Sequence, residues 1–431
     1  MMFYDHIADM EPLLPGDKTG DLTARAVSLL SEAKNLARSL RPHTRSKVAS
    51  LVRSMNGYYS NLIEGHRTKP HEIESALKKD FSDSKSVREK QLLHLAHLGA
   101  LETLEAMDLP VRELLKPEVV CLIHEEFCKR LPADMLVIQD TVGNTYDLVP
   151  GKLRDYNVAV GRHLAPDFKA LPKLLARFSG FYAQESEKPA AAGIIAAMAA
   201  HHRLAWIHPF GDGNGRVARL MTHLWARSLG AGGDGLWTLS RGLARRVDSY
   251  RAALDAADEK RHNDFDGRGY LSDAALHNFC GFMLDTAIDQ TRFMAGLFDV
   301  GNFENRLTAS CRQREAEGQL HQGASLLVKQ VFLEDEIRRG DAARILNVSP
   351  RTAQGVIGEL VEQGWLSSPS PKGPLHLDFP NSALAFLFPE LYPSGGPEDR
   401  GGAVLHVETL ADGFGSPPSG ETAPGKDIAL K

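Results

Sequence analysis

A short stretch from Ile207 to Arg219 combines a histidine, an aspartate, three glycines and two arginines. His208 can take a proton near neutral pH, and Asp212 is a hard oxygen ligand of the kind that Mg²⁺ prefers. Arg216 and Arg219 are three residues apart, which places them side by side on a helix and suits paired contacts with phosphate oxygens. The pattern predicts a base, a metal ligand and a phosphate site within one loop.

Two predicted helices position this stretch. Helical patterns cover Ala190–Trp206 and Asn214–Ser228, and a tight glycine-containing turn joins them. The start of the second helix has free backbone N–H groups, and the helix dipole favours anions there. Gly213 and Gly215 let the backbone approach a ligand closely. Each residue alone is more often structural than functional, so the argument for a phosphate site rests on their combination.

The stretch resembles the signature of the Fic family. That signature is His, any residue, Phe, any residue, an acidic residue, Gly-Asn-Gly-Arg, two residues and Arg, and every specified position matches from His208 to Arg219. The segment Gly151–Pro166 is similar to the flap hairpin of the family, and further matches extend the similarity over about residues 58–298. The resemblance implies a mainly α-helical fold, in which a Fic-type helical core carries a small β-hairpin flap.

The resemblance also implies a role for each residue. His208 would deprotonate a hydroxyl group that attacks the α-phosphate of ATP, Asp212 would hold Mg²⁺, and Phe210 would anchor the loop in the core. The flap would cover the nucleotide and align the backbone of the target by strand addition. The implied nucleotide-binding residues are Gly213, Asn214, Gly215, Arg216, Arg219, Val158, Val160, Gly161 and Tyr250.

A second motif lies upstream, at Ser60 to Gly65. Ser60 and Glu64 are one helical turn apart, and Gly65 can end the helix; alone, such a pair is typical of a solvated helix face. In the Fic family, however, Ser or Thr, three residues, Glu, then Gly or Asn form an inhibitory motif. The resemblance implies that Glu64 pairs with Arg219 and occupies the arginine that otherwise holds the γ-phosphate.

The function implied is transfer of AMP from ATP to a Ser, Thr or Tyr hydroxyl of target proteins and of the chain itself. Transfer of another nucleotide, such as UMP, and removal of AMP from a target would use the same site, and the motif does not separate them. A DNA-binding regulator with a nucleotide-sensing Fic core is a third reading. ATP and a target protein are the implied partners, whereas a homodimer and DNA stay open.

Four regions follow from patterning along the chain. Residues 1–110 are predicted to form a helical region that contains the inhibitory motif, and residues 111–300 the Fic core. Residues 301–393 are predicted to form a winged helix-turn-helix domain, because Asp341–Thr352 is typical of helix, turn and helix and a small hairpin follows. Its second helix has Arg351 but also Glu359 and Glu362, which is poorly charged for DNA. Residues 394–431 are rich in Gly, Pro and Ser and are predicted to be a disordered tail.

Composition limits the remaining classes. The formal net charge of −5 does not favour non-specific nucleic-acid binding, and four scattered cysteines do not favour a disulfide framework. The N-terminus lacks the pattern of a signal peptide and no stretch is long enough to span a membrane, so a cytoplasmic protein is expected. The stretch from His124 to Cys128 resembles the start of a zinc-protease helix but lacks the second histidine, so zinc is not expected there.

Overall fold

The computed structural model describes residues 4–139, 143–391 and 407–410. Across these ranges the chain is mainly helical, as predicted, and its strands form three small sheets. One large cluster of buried apolar side chains runs from Met10 to Leu391, so helices from all three predicted regions share a core. Within the described part, no helix is both long and apolar enough to cross a membrane.

The described part of the N-terminal region is built mainly from α-helices. They are α1 (Asp21–Ser39), α2 (Pro42–Ile63), α3 (Pro70–Leu77), α4 (Lys85–Ala106) and α5 (Val111–Leu114). Pro42 suits the first turn of α2, and apolar side chains such as Val48, Val52 and Tyr59 recur at helical spacing. Every residue from 54 to 61 is buried, so the second half of α2 lies inside the molecule rather than on its surface.

The described residues of the central part of the chain form two hairpins and seven α-helices. Its elements are α6 (Pro117–Cys128), β1 (Val137–Gln139), β2 (Thr145–Asp147), β3 (Asn157–Val160), β4 (His163–Leu164), α7 (Leu171–Glu185), α8 (Ala190–Ile207), α9 (Asn214–Ser228), α10 (Leu239–Arg245), α11 (Val247–Ala257) and α12 (Asp273–Leu297). The Ala-rich helix α8 is buried almost all round, which explains its continuous apolar sequence. Strands β3 and β4 form the predicted flap hairpin, and its turn contains Gly161 with a φ of +58°.

The C-terminal region has the predicted order of helix, turn, helix and hairpin. Its elements are α13 (Val300–Ala316), α14 (Ala324–Glu334), β5 (Glu336–Ile337), α15 (Ala342–Leu346), α16 (Pro350–Glu362), β6 (Leu366–Ser367), β7 (Leu375–Leu377) and α17 (Asn381–Leu387). Ser349 caps α16 by accepting a hydrogen bond from the Thr352 N–H at 3.2 Å. The three strands form an antiparallel sheet of order β5-β7-β6. The assignment of this region to the winged-helix class stays a prediction.

One further strand, β8 (Val407–Leu410), lies in the region predicted to be a disordered tail. It pairs antiparallel with β3, so that Thr409 is opposite Val158, and β3 becomes the central strand of a sheet of order β4-β3-β8. Disorder is therefore the wrong prediction for these four residues. The edge of a strand presents unpaired N–H and C=O groups to any extended segment that reaches it. Local sequence patterns do not predict which distant segment will pair with such an edge. The other residues of 394–431 lie outside the described ranges.

Candidate active site

The loop between α8 and α9 begins and ends in the left-handed conformation. His208 caps α8 with a φ of +48°, and Gly213 precedes α9 with a φ of +82°. Positive φ is uncommon for a residue other than glycine, and such residues concentrate at functional sites. The turn therefore carries His208 out of the helix direction and brings the chain directly to the start of α9.

Contacts inside the protein hold this loop in shape. Phe210 is fully buried and stacks on the His124 ring, with the ring centroids 4.0 Å apart. The Asn214 side chain closes the turn, because its Oδ1 accepts from the Phe210 N–H at 2.9 Å and its Nδ2 donates to the Phe210 carbonyl at 2.8 Å. Asn214, which the family resemblance places in the anion pocket, thus holds the loop with its side chain, while its backbone N–H belongs to the free first turn of α9.

The start of α9 is the predicted anion site. Its first-turn N–H groups have no intrahelical partners, and Asp212 is exposed beside them. A Cβ at Gly215 would lie 2.6 Å from Glu64 Oε1 and 3.0 Å from Arg219 Nη1, so a larger residue would push these two side chains out of their present positions. The Glu64 carboxylate consequently lies against the backbone that would otherwise face a phosphate.

His208 is in the protonation state that a base requires. Burial, followed by the positive charges of His163 and Arg154, lowers the pKa of His208 to about 3. Arg154 also holds the turn, since its Nε donates to the His208 carbonyl at 2.8 Å. At neutral pH the His208 imidazole is therefore uncharged and able to accept a proton.

Glu64 forms an ion pair with Arg219, as the resemblance implies. The distance from Arg219 Nη2 to Glu64 Oε1 is 2.6 Å, and the side chains are 3% and 20% exposed, respectively. Burial opposes the charge on Glu64, but Arg219 and then Arg216 outweigh it and lower the pKa of the carboxyl. Arg219 also donates from Nε to Ser60 Oγ at 2.9 Å and from Nη2 to the Ser60 carbonyl at 3.1 Å. The last turn of α2 therefore occupies much of the hydrogen-bonding capacity of Arg219.

The second arginine is also held by α2. Arg216 donates from Nε to Asn61 Oδ1 at 3.1 Å, and its guanidinium lies 4.9 Å from the centroid of the Phe127 ring. Both arginines that the resemblance assigns to phosphates are buried beneath the same helix. The contact between α2 and the loop is thus broader than the Glu64 pair.

Anchors at both ends hold α2 in this position. At its start, Asp335 accepts hydrogen bonds from the backbone N–H groups of His43 at 2.9 Å and Thr44 at 3.0 Å. At its end, Arg251 donates to the Ile63 carbonyl at 2.9 Å. Gly65 follows the helix with a φ of +86°, and the reversed chain donates back into the last turn. Glu64 therefore reaches Arg219 from a rigid, well-terminated helix.

The flap residues and Tyr250 differ in how far they are exposed. Val158, on strand β3 of the flap, is fully buried, Val160 is partly exposed, and Gly161 lies exposed in the turn. Tyr250 is buried, and its hydroxyl lies 2.6 Å from His201 Nε2; burial raises the pKa of Tyr250 to about 12. Its assignment to the adenosine stays a prediction.

Two groups of His, Asp and Glu side chains in the described ranges are close enough to share a metal ion. They are His43, Glu336 and His376, and Asp17, Asp21 and His277. Neither includes Asp212 or His124. His124 instead packs on the loop and accepts a hydrogen bond from the Gly151 N–H at 2.9 Å. A single exposed carboxylate such as Asp212 fits Mg²⁺, which commonly takes one or two protein carboxylates together with substrate phosphates and water.

A cavity of about 650 Å³ lies at the far end of α9, away from the loop. Its lining combines apolar residues of α1 and α2 with the charged groups Arg53, Glu105, His223 and Arg227. Glu105 accepts from Arg53 and from His223 at 2.9 Å each, so its charge is matched within the cavity wall. None of the loop residues lines this cavity.

Four residues that contact the loop were missed by sequence reasoning: Asn61, His124, Arg154 and His163. Their partners lie far along the chain, and a single polar side chain has no spacing that predicts a distant contact. Asn61 had a usable signal, since it follows Ser60 inside the inhibitory motif, and Arg154 and His163 lie within the segment Gly151–Pro166 that resembles the flap.

Comparison with known proteins identifies part of this chain. A model described as the Fic/DOC family matches residues 114–226, a range that contains the whole loop but is shorter than the similarity predicted over residues 58–298. The protein adenylyltransferase Fic of Culex quinquefasciatus is 39% identical over 89 residues, which are 20% of this chain and 18% of that protein. The protein of the same name from Nematostella vectensis is 34% identical over 80 residues, 19% of this chain and 18% of that protein. The matches thus span less than a fifth of the length of these relatives.

Among solved structures, a Fic family protein from Desulfovibrio desulfuricans G20 is similar over 82% of this chain and 95% of that chain. The sequence identity is 18% and the TM-score is 0.45.

Proposed function

We propose that residues 114–226, which form a Fic/DOC domain, transfer AMP from ATP to a Ser, Thr or Tyr hydroxyl of a target protein and of the chain itself. We also propose that Glu64 holds this activity in an inhibited state. The observation that carries the first proposal is the short turn that joins an uncharged His208, at the end of α8, to the unpartnered N–H groups at the start of α9, the helix that also carries Arg216 and Arg219. The names of the curated relatives support the same chemistry.

The reaction uses this geometry in one displacement. His208 accepts the proton of the incoming hydroxyl, and the hydroxyl oxygen forms a bond to the α-phosphorus as the bond from that phosphorus to the bridging oxygen of the β-phosphate breaks. Pyrophosphate leaves with the electron pair of the broken bond. The N–H groups at the start of α9, from Asn214 to Arg216, stabilise the negative charge that grows on the phosphate oxygens.

Asp212 is the residue that would hold Mg²⁺, whose charge would neutralise the phosphate oxygens. Arg219 would bind the γ-phosphate, since a guanidinium matches the geometry of phosphate oxygens. Asp212 lies in the loop and Arg219 in the second turn of α9, so together they would orient the triphosphate with its α-phosphate towards His208.

The flap would align the acceptor segment by strand addition. The edge of β3 accepts an extended backbone in this structure, because Val407–Leu410 pairs with it along Asn157–Val160. Main-chain hydrogen bonds of this kind are independent of the side chains of the added strand. This pairing supports a target segment that is recognised mainly by its extended backbone.

The inhibitory role of Glu64 follows from its two contacts. It occupies Nη2 of Arg219 and lies against Gly215, so it competes both with the γ-phosphate and with space at the anion site. ATP that enters without reaching Arg219 would not bring its α-phosphate into line with His208.

The test is incubation of the Glu64→Gly chain with Mg²⁺ and ATP labelled at the α- or the γ-phosphate, followed by mass spectrometry. Label from the α-phosphate on a hydroxyl side chain, lost in Glu64→Gly/His208→Ala, is the expected result. Label from the γ-phosphate alone would show a phosphotransferase and refute the proposal. The same refutation follows if UTP labels the chain while ATP does not, or if the chain only releases AMP from an adenylylated protein.

A further inference from the structure

The ring of His163, on the flap strand β4, lies between two hydrogen-bond acceptors. Its Nδ1 is 2.8 Å from Asp258 Oδ2, and its Nε2 is 2.8 Å from the carbonyl oxygen of Trp206. A carboxylate and a carbonyl can only accept, so both ring nitrogens must carry hydrogen. His163 is therefore an imidazolium in this arrangement.

We propose that His163 is a positioning residue for His208: as an imidazolium held by Asp258, it fixes the flap to the Trp206 carbonyl next to the base. This inference rests on the proposed function, because it assigns the base role to His208. Trp206 is two residues before His208 and near the end of α8. The last carbonyls of a helix lack intrahelical partners and favour a nearby cation, which suits the charged ring.

The contacts of His163 with Asp258 and with the Trp206 carbonyl together form a clamp. This clamp connects three parts of the site. Asp258, just after α11, binds His163 and also lies 3.2 Å from His202 Nε2 on α8. The side chains of His163 and Asp258 are 11% and 22% exposed, so water competes weakly for this contact. A second cation, Arg154, holds the other end of the flap to the carbonyl of His208. The flap is thus fixed to two backbone carbonyls at the end of α8, those of Trp206 and His208.

The charge on His163 also acts on the base directly. The centroids of the His163 and His208 rings are 6.4 Å apart. Although burial disfavours a charged ring, Asp258 outweighs it and raises the pKa of His163, while His163 in turn contributes to the lowered pKa of His208. Titratable and charged groups from three elements surround His163. Asp255 lies in α11 and Asp258 directly follows it, His202 lies in α8 and His208 directly follows it, and Arg154 and Arg162 belong to the flap.

The sign of the pH dependence follows from the raised pKa of His163. The clamp is complete below the ordinary pKa of a histidine and is lost as the pH rises through the raised value. Loss of one ring proton removes either the bond to Asp258 or the bond to Trp206. We therefore expect AMP transfer to fall on the alkaline side as the flap loosens.

The first experiment measures the charge of the ring in the full chain without nucleotide. ¹⁵N chemical shifts of the His163 ring at pH 7, assigned by their loss in His163→Gln, should be those of an imidazolium. In Asp258→Asn the ring should become neutral at lower pH than in the unaltered chain. A neutral His163 ring at pH 7 in the unaltered chain overturns the proposal.

The second experiment measures kcat and the KM for ATP against pH in the Glu64→Gly background. Asp258→Asn should move the alkaline limb of kcat to lower pH by about one unit, because the carboxylate that stabilises the imidazolium is gone. His163→Gln should lower kcat by about 10- to 100-fold and leave KM for ATP within about threefold, as expected for misplacement of a base. A limb that stays in place in Asp258→Asn, or a His163→Gln loss confined to KM, overturns the proposal.

His277→Gln is the matched control. His277 Nε2 lies 3.1 Å from Asp21 Oδ1 in a pair between α12 and α1, and its side chain is 25% exposed. This variant should leave the pH profile unchanged. Thermal unfolding of each variant shows which variants fold. If His163→Gln does not fold, the pH profile of Asp258→Asn and the ¹⁵N chemical shifts of the His163 ring test the proposal. A charged ring in a chain that never transfers AMP would refute the proposed function, whereas a neutral ring in an active chain would refute the clamp alone.

Discussion

Replacement of Glu64 by glycine should release the site. Glu64 is the residue that caps α2, so glycine at this position does not interrupt the helix. The variant removes the 2.6 Å ion pair to Arg219 but leaves the bonds from Arg219 to Ser60 Oγ and to the Ser60 carbonyl. Arg219 should therefore stay in place with one N–H group free for a γ-phosphate.

The magnitude follows from the burial of the pair. Arg219 is 3% exposed and Glu64 20% exposed, so the contact lies between a buried and a surface ion pair and is worth about 2–4 kcal/mol. ATP must overcome this free energy to reach Arg219 in the unaltered chain. Since about 1.36 kcal/mol corresponds to a tenfold change in rate, AMP transfer should rise by roughly 30- to 1,000-fold.

The assay compares transfer of the α-labelled phosphate by the unaltered chain, Glu64→Gly and Glu64→Gln. Glutamine can still accept a hydrogen bond from Arg219 but lacks the charge, so its rate should lie between the other two. Glu304→Gln is the matched control, because the pair from Glu304 Oε1 to Lys329 Nζ is also 2.6 Å long and Glu304 is 22% exposed, far from the loop in sequence. It should leave the rate unchanged.

Thermal unfolding adds a readout that does not depend on catalysis. Without ligand, Glu64→Gly should unfold at a lower temperature than the unaltered chain, because the ion pair is lost. With ATP and Mg²⁺, its melting temperature should rise by more than that of the unaltered chain, since a ligand stabilises the state that binds it. Equal transfer rates together with equal shifts by ATP would refute the reasoning.

Four further outcomes are expected. His208→Ala in the Glu64→Gly background should abolish AMP transfer while ATP still raises the melting temperature, and transfer that persists would exclude His208 as the base. Asn214→Ala loses both hydrogen bonds to the Phe210 backbone, so the free energy of unfolding should fall by about 1–2 kcal/mol and AMP transfer should slow by about tenfold. An unchanged transfer rate would show that packing alone holds the loop. Burial lowers the pKa of His201 to about 3 and of His94 to about 4. Each buried histidine should therefore lower the free energy of unfolding by roughly 1–2 kcal/mol between pH 7.5 and pH 5, because the unfolded chain takes up a proton there and the folded chain does not. A melting temperature that stays constant over this range in calorimetry would contradict this expectation. Deletion of residues 392–431 exposes the β3 edge that Val407–Leu410 covers, so transfer to an added extended peptide should rise, and an unchanged rate would show that the tail does not compete there.

The loop could be predicted because its parts are close together in the sequence. The helix end, predicted at Trp206 and found at Ile207, the turn and the helix start at Asn214 follow from local patterning, as do the free N–H groups at that start. The position of the flap hairpin was predicted from its resemblance and is confirmed by the pairing of β3 with β4. The order of helices and strands in the C-terminal region was likewise predicted from its turn and cap residues.

The sequence by itself determined the chemical groups of the loop and the backbone shape that presents them, since both depend on residues close together in the stretch His208–Arg219. Only the tertiary structure decided how those groups are held. Arg216 meets Asn61 across 155 positions of the chain, and Arg219 meets Ser60 across 159. His163 reaches the Trp206 carbonyl only because the flap folds back onto the end of α8. Contacts of this length depend on packing of the whole core, and no local spacing or composition records them.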